Sequence, residues 1–529
     1  MSETPRSIRP EAPQPAAVRT KRNVLLNWAG FGVASVVNLL LSPFIIHHLG
    51  NTVYGIWVLM MSLTGYLSLL DLGVRIAVTR YVAKFHTESD VARASRTVSS
   101  ALAIFAVAGA VAISISLALI SFGLGWFRIP GAYLTAARIV LVLSGINVAV
   151  ALVSGVFGGV LVGLQRFDLS KAIELLGTAV RALGIVAVIL AGQGLIGLAC
   201  IHVLSSLLML LANAWFSRRA YPQLRIGIAY CDRQHLALIF SFSLYSFLLN
   251  LAVYVSFYTD SVVIGTFLPV SQIAFFMIAG NLIQYSRELV NGIGYVLLPL
   301  ASALEARRDL AEMRRVVLTG SRFATMVFLP IGVSFLLRGK SFIGLWMGPS
   351  YAELSGQVLS VLTLALLFSA RNQVSAEIMR GIGKHKAMVP VYVGEALCNL
   401  AASVALVRPM GIVGVAWGTT LPSLAVSLLF WPWYLHRTLG ISVREYVVSG
   451  WVRPALAVIP FALTTYAVEV LWATPNLILF FLQVAVTLPV AAVGFWYLSL
   501  TSLERHAYSV RFLPPVLRAF RLLRTVHHP

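Results

Sequence analysis

An uncharged run of 48 residues, from Asn23 to Leu70, limits most strongly what this chain can fold into. A single short polar stretch at 47–51, His-His-Leu-Gly-Asn, interrupts it and has the size of a tight turn. One membrane span needs about 20 apolar residues, so the run predicts two helices that cross a bilayer as a hairpin. Continuous apolar stretches without strict alternation favour helices over a β-barrel, because each helix satisfies its own backbone in lipid.

The rest of the 529-residue chain has the same character. Hydrophobic residues make up 59% of it and charged residues 11%, against roughly 25% charged in soluble globular proteins. This composition excludes a soluble protein, because one large core cannot hold so many apolar side chains. The remaining apolar stretches predict an all-α polytopic membrane protein of about fourteen transmembrane helices, at 24–46, 52–83, 97–121, 137–163, 172–191, 194–216, 236–266, 270–301, 316–337, 355–379, 387–407, 410–435, 454–472 and 476–499.

The basic residues lie mostly on one side of this predicted topology. There are 40 Lys and Arg against 19 Asp and Glu, a net charge of +21. By side, 33 of the 40 belong to the N-terminal tail, the loops after even-numbered spans, the adjoining halves of those spans and the C-terminal tail. The positive-inside rule therefore predicts cytoplasmic termini in a bacterial inner membrane, and charge spread along one membrane face argues against a nucleic acid partner. The opposite loops contain only Arg128, Arg138, Arg338, Lys340 and Arg408.

Two short matches at nearly one offset predict an internal repeat. Gly194-Leu-Ile-Gly-Leu-Ala199 returns as Gly411-Ile-Val-Gly-Val-Ala416, and Val-Gly-Leu-Gln-Arg at 162–166 corresponds to Arg-Gly-Ile-Gly-Lys at 380–384. An even number of spans in each copy gives two six-helix lobes related by a parallel repeat, followed by two more helices. The predicted organisation is a disordered cytoplasmic tail at 1–22, an N-lobe at 23–217, a cytoplasmic linker at 218–235, a C-lobe at 236–436, two spans within 437–500 and a basic amphipathic cytoplasmic tail at 501–529.

Several motifs in the first hairpin and in span 7 resemble those of a known family. They are Leu49-Gly50-Asn51-Thr52-Val53-Tyr54-Gly55-Ile56-Trp57, Leu70-Asp71-Leu72-Gly73-Val74, Thr79-Arg80-Tyr81-Val82-Ala83 and Asp260-Ser-Val-Val-Ile-Gly265. With these motifs and its two-lobe architecture the chain resembles the polysaccharide transporter, or O-antigen flippase, branch of the MATE-like multidrug/oligosaccharidyl-lipid/polysaccharide (MOP) superfamily.

This resemblance implies a transporter and not an enzyme. Members flip a polyprenyl-pyrophosphate-linked oligosaccharide from the inner to the outer leaflet for surface polysaccharide biosynthesis, by alternating access of two lobes. The implied partners are this substrate and membrane lipids, with a polysaccharide polymerase and glycosyltransferases as candidate protein partners. We expect a monomer without a cofactor. Lipid II flippases carry an Arg-Asp pair in the first helix, where this chain has only polar Asn27 and Asn38, which argues against a peptidoglycan-precursor role.

Charged residues inside the spans form the candidate substrate site. A charge at a helix centre costs about 2.5–3.5 kcal/mol and therefore needs a partner or a wet cavity. Arg287 and Glu288 adjoin in span 8 and point about 100° apart, so we expect at least one to face a cavity between the lobes. Since arginine presents a planar fork that matches phosphate oxygens, we predict that Arg287 and Arg181, with Arg75 secondary, bind the pyrophosphate.

Other intramembrane charges have two interpretations each. Asp71 and Arg75 are four residues apart and can pair within one helix, either at the substrate site or as a structural neutralised pair. Glu174 lies two turns from Arg181 on roughly the same face. Arg371 lies near the predicted inner end of its span, where a long side chain can reach the interface.

Oxygen donors of the second lobe predict a site for a coupling ion. Asp260 in span 7, Glu395 and Asn399 in span 11 and Thr419 in span 12 are a set that can bind Na⁺ or take up H⁺. The lipid II branch has a comparable second-lobe cation site. The alternative is that Asp260 ends a helix and Glu395 pairs with a neighbour. The three cysteines have no disulfide or zinc spacing, so we expect no metal site.

The sequence is also compatible with two rival functions. A multidrug or cation antiporter of the same superfamily would have the same fold but an acidic, aromatic cavity. A membrane-embedded polyprenyl-sugar enzyme would need positioned acids, bases or metal ligands beside an acceptor surface. The longest predicted outer loops, near 122–136 and 338–354, contain one acidic residue, Glu353.

Overall fold

The computed structural model describes residues 16–502 and 504–506, without the side chains of many positions within 16–34, 237–256 and 293–299. Residues 1–15 of the predicted disordered tail and the predicted basic helix beyond residue 506 lie outside the described residues. The helices are α1 (Ala16–Gly65), α2 (Val74–Thr87), α3 (Val91–Phe122), α4 (Leu134–Gly163), α5 (Phe167–Leu190), α6 (Gly194–Ala220), α7 (Arg233–Phe267), α8 (Gln272–Ala306), α9 (Leu310–Met347), α10 (Pro349–Gly381), α11 (Met388–Ala425), α12 (Trp431–Leu439), α13 (Val443–Val447), α14 (Arg453–Leu471) and α15 (Leu477–Gly494).

The predicted all-α membrane class is confirmed, since the described residues form helices and no strand. Ten helical segments among them are long and apolar enough to span a bilayer. Two of the ten, Ser35–Thr87 and His385–Leu439, are 53 and 55 residues long. Gly50 in the first and Gly411 in the second have a non-helical backbone where the sequence predicts the turn of a hairpin. The count of fourteen spans stays a prediction.

Two compact units make up the chain, one up to Asn250 and the other from Leu251 onward. In the first unit α2 packs closely on α4 because α4 presents glycines at 155, 159 and 163, one every four residues. A Cβ at Gly159 would lie 3.3 Å from the carbonyl oxygen of Arg75, and one at Gly163 would lie 2.8 Å from that of Thr79. Small residues at this spacing let helix backbones approach in a membrane.

The predicted span at 52–83 is not one continuous helix. α1 ends at Gly65, a 3₁₀ turn follows at Tyr66–Asp71, and α2 begins at Val74. Between them Leu72 and Gly73 both have positive φ, 49° and 77°. A left-handed conformation is uncommon for leucine, so the local sequence does not favour this break and the surrounding packing has to stabilise it. Neither a proline nor a run of glycines marks the break in the sequence.

The internal repeat has matching local geometry in its two copies. Gly194 and Gly411, which open the repeated Gly-x-x-Gly-x-Ala segment, have φ of 56° and 60°. Both therefore need glycine to begin the helical segment that follows them. This equivalence is independent of the sequence match that predicted it.

The second matched segment behaves in the same way. A Cβ at Gly163 or at Gly381 would approach the backbone oxygen of another helix, of Thr79 or of Leu298, to 2.8 Å in either case. Two residues further on, Gln165 and its counterpart at 383, a glycine, both have positive φ, 59° and 71°. Each copy thus closes a helix tightly against a neighbour and then turns sharply.

In the second unit three buried arginines fasten the C-terminal helices to α9 and α10. Arg338 of α9 bonds to Glu469 of α14, Arg322 of α9 bonds to Glu504, and Arg371 of α10 donates to the backbone oxygen of Tyr446. These side chains are 1%, 4% and 0% exposed. The prediction that Arg338 lies in an outer loop is wrong, because α9 continues to Met347. The prediction that Arg371 reaches the interface is also wrong, because its guanidinium is buried and bonds to the backbone of Tyr446.

Candidate functional site

Close packing of α5 on α6 determines the surroundings of Arg181. A Cβ at Gly177 would lie 2.5 Å from the sulfur of Met209, and one at Gly184 would collide with Ile201. Arg181 lies midway between these two glycines, so the close contacts on either side hold it against α6. Its Nε donates to Oγ of Ser205, 3.4 Å away.

His202 lies one turn before Ser205 and belongs to the same cluster. Oγ of Ser205 donates to the carbonyl oxygen of His202 at 2.9 Å, and the imidazole lies edge-on to Trp57 of α1 with ring centroids 4.8 Å apart. His202 and Arg181 interact electrostatically. We call Trp57, Arg181, His202 and Ser205 the arginine cluster of the first unit.

This cluster has no negative partner among the described residues. The predicted neighbour Glu174 pairs instead with Lys171, whose Nζ is 2.7 Å from its carboxylate. No described carboxylate lies within 4 Å of Arg181, and no described acid acts electrostatically on its guanidinium. An unneutralised cation within a membrane-spanning helix is costly, which makes Arg181 receptive to an anion.

Asp71 and Arg75 do form the predicted pair, but across the break between the 3₁₀ turn and α2. Nε of Arg75 is 3.6 Å from Oδ2 of Asp71, and the Arg75 backbone N–H donates to Oδ1 at 3.3 Å. The guanidinium lies over Gly155 of α4, and the Arg75 side chain is 53% exposed. Discontinuous helices that carry charges often line transport pathways, so this pair fits a functional role as well as a structural one.

In the second unit a hydrogen-bonded chain joins three of the four predicted coupling residues. Oγ1 of Thr419 donates to the carboxylate of Asp260 at 3.0 Å, and Nδ2 of Asn399 donates to the same hydroxyl at 3.2 Å. Oδ1 of Asn399 in turn accepts from Ser403 at 3.3 Å. Asp260 is 7% exposed. Its carboxylate is buried where α7 meets the two arms of α11, 388–410 and 412–425.

Arg287 and the remaining acids lie beside this chain. Arg287 interacts electrostatically with Glu395, Glu288 and Asp260, and its Nε has no hydrogen-bond partner among the described residues. Glu288 accepts from Gln284 at 2.8 Å, and Glu395 accepts from Ser423. Three carboxylates around one guanidinium form what we call the acidic cluster of the second unit.

The two predicted phosphate ligands thus have opposite environments. No described acid acts electrostatically on Arg181, whereas three acids act on Arg287. Sequence reasoning missed His202, although histidine is rare in membrane spans and its position in span 6 was the available signal. It also missed Ser205, Ser403 and Ser423, since a serine in a span carries no comparable signal.

Comparison with known proteins gives a consistent set of relatives. A family model described as polysaccharide biosynthesis protein matches residues 49–356. The chain is 21% identical over 425 residues to a putative O-antigen transporter of Shigella flexneri, covering 79% of this chain and 98% of that protein.

Two solved structures share the fold at low sequence identity. The lipid II flippase MurJ in an inward closed conformation has a TM-score of 0.69 at 12% identity, covering 90% of this chain and 97% of its own. An inward-facing multidrug resistance MATE family transporter of the MOP superfamily has a TM-score of 0.68 at 16% identity, covering 78% and 95%.

Proposed function

Since this chain belongs to the family of polysaccharide biosynthesis proteins, we propose that it is a flippase of the MOP superfamily. Its substrate is a polyprenyl-pyrophosphate-linked oligosaccharide, which it moves from the inner to the outer leaflet for surface polysaccharide biosynthesis. The observation that carries the proposal is Arg181, a membrane-embedded guanidinium without a carboxylate partner among the described residues. It is a binding site for an anion that belongs to a lipid.

The chemistry of the substrate explains why such a protein is needed. Each sugar hydroxyl that enters hydrocarbon unpaired costs about 4–8 kcal/mol on the cyclohexane reference, so a headgroup of several sugars cannot cross lipid unaided. Its pyrophosphate adds negative charge, which a planar guanidinium binds through charge-assisted hydrogen bonds. Alternating access of the two units would let the headgroup cross in water while its polyprenyl chain stays in lipid.

Two sources of energy fit this transport. With a negative cell interior, each net negative charge that moves outward gains about 2.3 kcal/mol per 100 mV. A coupling ion adds to this if the acidic cluster binds Na⁺ or H⁺, because three carboxylates, of which that of Asp260 is buried, exceed the one charge of Arg287. Asp260, Thr419 and Asn399 would supply the oxygen ligands. Arg287 then acts as a fixed countercharge at the ion site as well as a candidate phosphate ligand.

The membrane orientation follows from the charge distribution. We propose a multi-pass protein of the inner membrane with both termini in the cytoplasm, because 33 of 40 basic residues belong to that side of the predicted topology. The substrate would then enter on the side where its sugars are assembled.

Reconstitution in liposomes tests the function. A fluorescent polyprenyl-pyrophosphoryl oligosaccharide is placed in the bilayer, and its exposure on each leaflet is followed with a membrane-impermeant quencher. Equilibration of the probe across bilayers that contain the protein, and not across protein-free ones, is the expected result. Equal rates in both would contradict the proposal.

The rival function, efflux of organic cations, has one observation in its favour, which is the acidic cluster around Arg287. The same liposomes distinguish it. An antiporter would accumulate a cationic dye when a Na⁺ or pH gradient is imposed, and it would not move the pyrophosphate probe. The flippase would move the pyrophosphate probe and would not accumulate the dye.

A further inference from the structure

His202 is a titratable group that the proposed transport does not yet use. Its ring is half-buried in α6, edge-on to Trp57, and one helical turn from the serine to which Arg181 donates. Arg181 is half-buried as well, so the protein encloses neither group completely. The arginine cluster therefore offers a permanent cation and an imidazole that interact electrostatically and are linked through Ser205.

The charge of His202 depends on what occupies the cluster. Among the described groups on α1, α4, α5 and α6, only Arg181 acts electrostatically on the imidazole. A second positive charge beside a guanidinium in hydrocarbon is unfavourable, so the empty cluster holds a neutral ring. A pyrophosphate diester brings about two negative charges, and Arg181 neutralises one of them.

We propose that His202 is a second ligand of the pyrophosphate bound at Arg181, and that binding of the headgroup takes up one proton at its imidazole. The inference rests on the proposed function, whose substrate it uses. The proton comes from water and is bound by a ring nitrogen, while no covalent bond of the substrate changes. The bound state then contains two cations and two anionic charges, which is the neutral combination that low dielectric favours.

Proton uptake makes the substrate site pH-dependent in a defined direction. Binding that takes up one proton weakens as pH rises, by up to about tenfold for each pH unit over the range in which the free imidazole is neutral and the bound imidazole is protonated. The proton would cross the membrane with the headgroup only if both are released at the outer face. Where the outside is more acidic than the cytoplasm, that release is against the proton gradient.

Calorimetry of the full-length protein in nanodiscs tests the inference. The probe is farnesyl-pyrophosphoryl-N-acetylglucosamine, a pyrophosphate diester with no group that titrates near neutral pH. Titration at one pH in two buffers of different ionisation enthalpy counts the protons taken up for each ligand bound. The variants are His202→Gln and, as a matched control, His86→Gln, whose ring is exposed at the far end of α2.

We expect wild type and His86→Gln to take up about one proton for each ligand, as linkage requires, and His202→Gln to bind more weakly with almost no uptake. Binding by wild type without proton uptake, or unchanged uptake in His202→Gln, would overturn the role of His202 and leave the flippase proposal intact. If wild type fails to bind the probe at all, the proposed function fails with it. The pH dependence of wild-type affinity is a second measure that needs no variant, and a flat profile between about pH 6 and 9 overturns the inference.

Discussion

The hydroxyl of Thr419 donates its one proton to the carboxylate of Asp260, with 3.0 Å between Oγ1 and Oδ2. The same oxygen accepts from the amide of Asn399, so the direction of each hydrogen bond is fixed. α7 is thereby tied to both arms of α11 around a buried carboxylate. An ion that binds at Asp260 has to displace or join these contacts, which connects occupancy of the site to the packing of three helical segments.

The first prediction concerns coupling to an ion. Asp260→Asn removes the charge but keeps a similar shape, so transport of the pyrophosphate probe should lose its response to an imposed Na⁺ or pH gradient. Ser403→Ala is the control, because Ser403 bonds to Asn399 and not to Asp260. Gradient-driven transport in proteoliposomes measures the effect, and an Asp260→Asn variant that still responds would disprove coupling at this residue.

The second prediction concerns the buried ion pair of Arg338 and Glu469, whose Nε and Oε2 are 2.6 Å apart. Arg338→Ala leaves the carboxylate without its partner and should destabilise the protein by about 3–5 kcal/mol. Lys340→Ala breaks the neighbouring pair with Glu353, which is exposed on both sides and should matter little. Thermal unfolding in detergent compares the two variants, and equal melting temperatures would contradict a structural role for Arg338.

The third prediction uses two glycines of α4. Gly163→Ala should destabilise the first unit by about 1–3 kcal/mol, because the new methyl would lie 2.8 Å from the backbone oxygen of Thr79. Gly158→Ala should be neutral or better, since its nearest neighbour, Oδ1 of Asn213, would be 3.8 Å away. Melting temperatures of the two variants provide the measurement, and a tolerated Gly163→Ala would mean that α2 and α4 separate at no cost.

The fourth prediction concerns pH and the start of α3. Asp90 accepts from the backbone N–H of Arg93 at 2.8 Å and from its Nε at 2.6 Å, and these bonds hold the pKa of Asp90 below its ordinary value. Since the pKa is lower in the folded protein, the stabilisation is present above the unfolded value of about 3.9 and is lost as pH falls through the lower folded value.

Asp90→Ala should therefore speed amide hydrogen exchange in the first turn of α3 at neutral pH, and its difference from wild type should disappear in acid. Asp90→Asn keeps a capping oxygen but has no charge to lose, so its exchange should respond less to acid. A difference between wild type and Asp90→Ala that persists unchanged at low pH would refute this account of the cap.

Some elements were predictable because sequence alone specifies them. The hairpin turn at Gly50 follows from an uncharged apolar run that exceeds one bilayer thickness, and the turn at Gly411 follows from two apolar stretches separated by Arg408. The repeat was visible because its glycines are required by positive φ, as at Gly194, or by a close backbone, as at Gly381. At the hairpin turns the length of the apolar run, and at the repeated glycines the backbone geometry, directly limit which residues can occur.

Other features depend on contacts that no local pattern records. Arg338 looked like part of a loop because charge usually marks the end of a span, and its partner Glu469 is far away in sequence. The break before α2 places a leucine, Leu72, in the left-handed region, against its own preference. Arg181 and Arg287 looked alike in sequence, and only their neighbours give one a shortage and the other an excess of negative charge.

The most direct test of the central claim is the flipping rate of Arg181→Ala in proteoliposomes. Loss of a charge-assisted contact worth about 1.5–3 kcal/mol should slow transfer of the pyrophosphate-linked probe roughly 10- to 100-fold. Lys171→Ala is the matched control, because it removes one positive charge from the same helix at an exposed ion pair and should leave the rate unchanged. Transfer by Arg181→Ala at the wild-type rate would contradict the claim that this arginine binds the anion of the transported lipid.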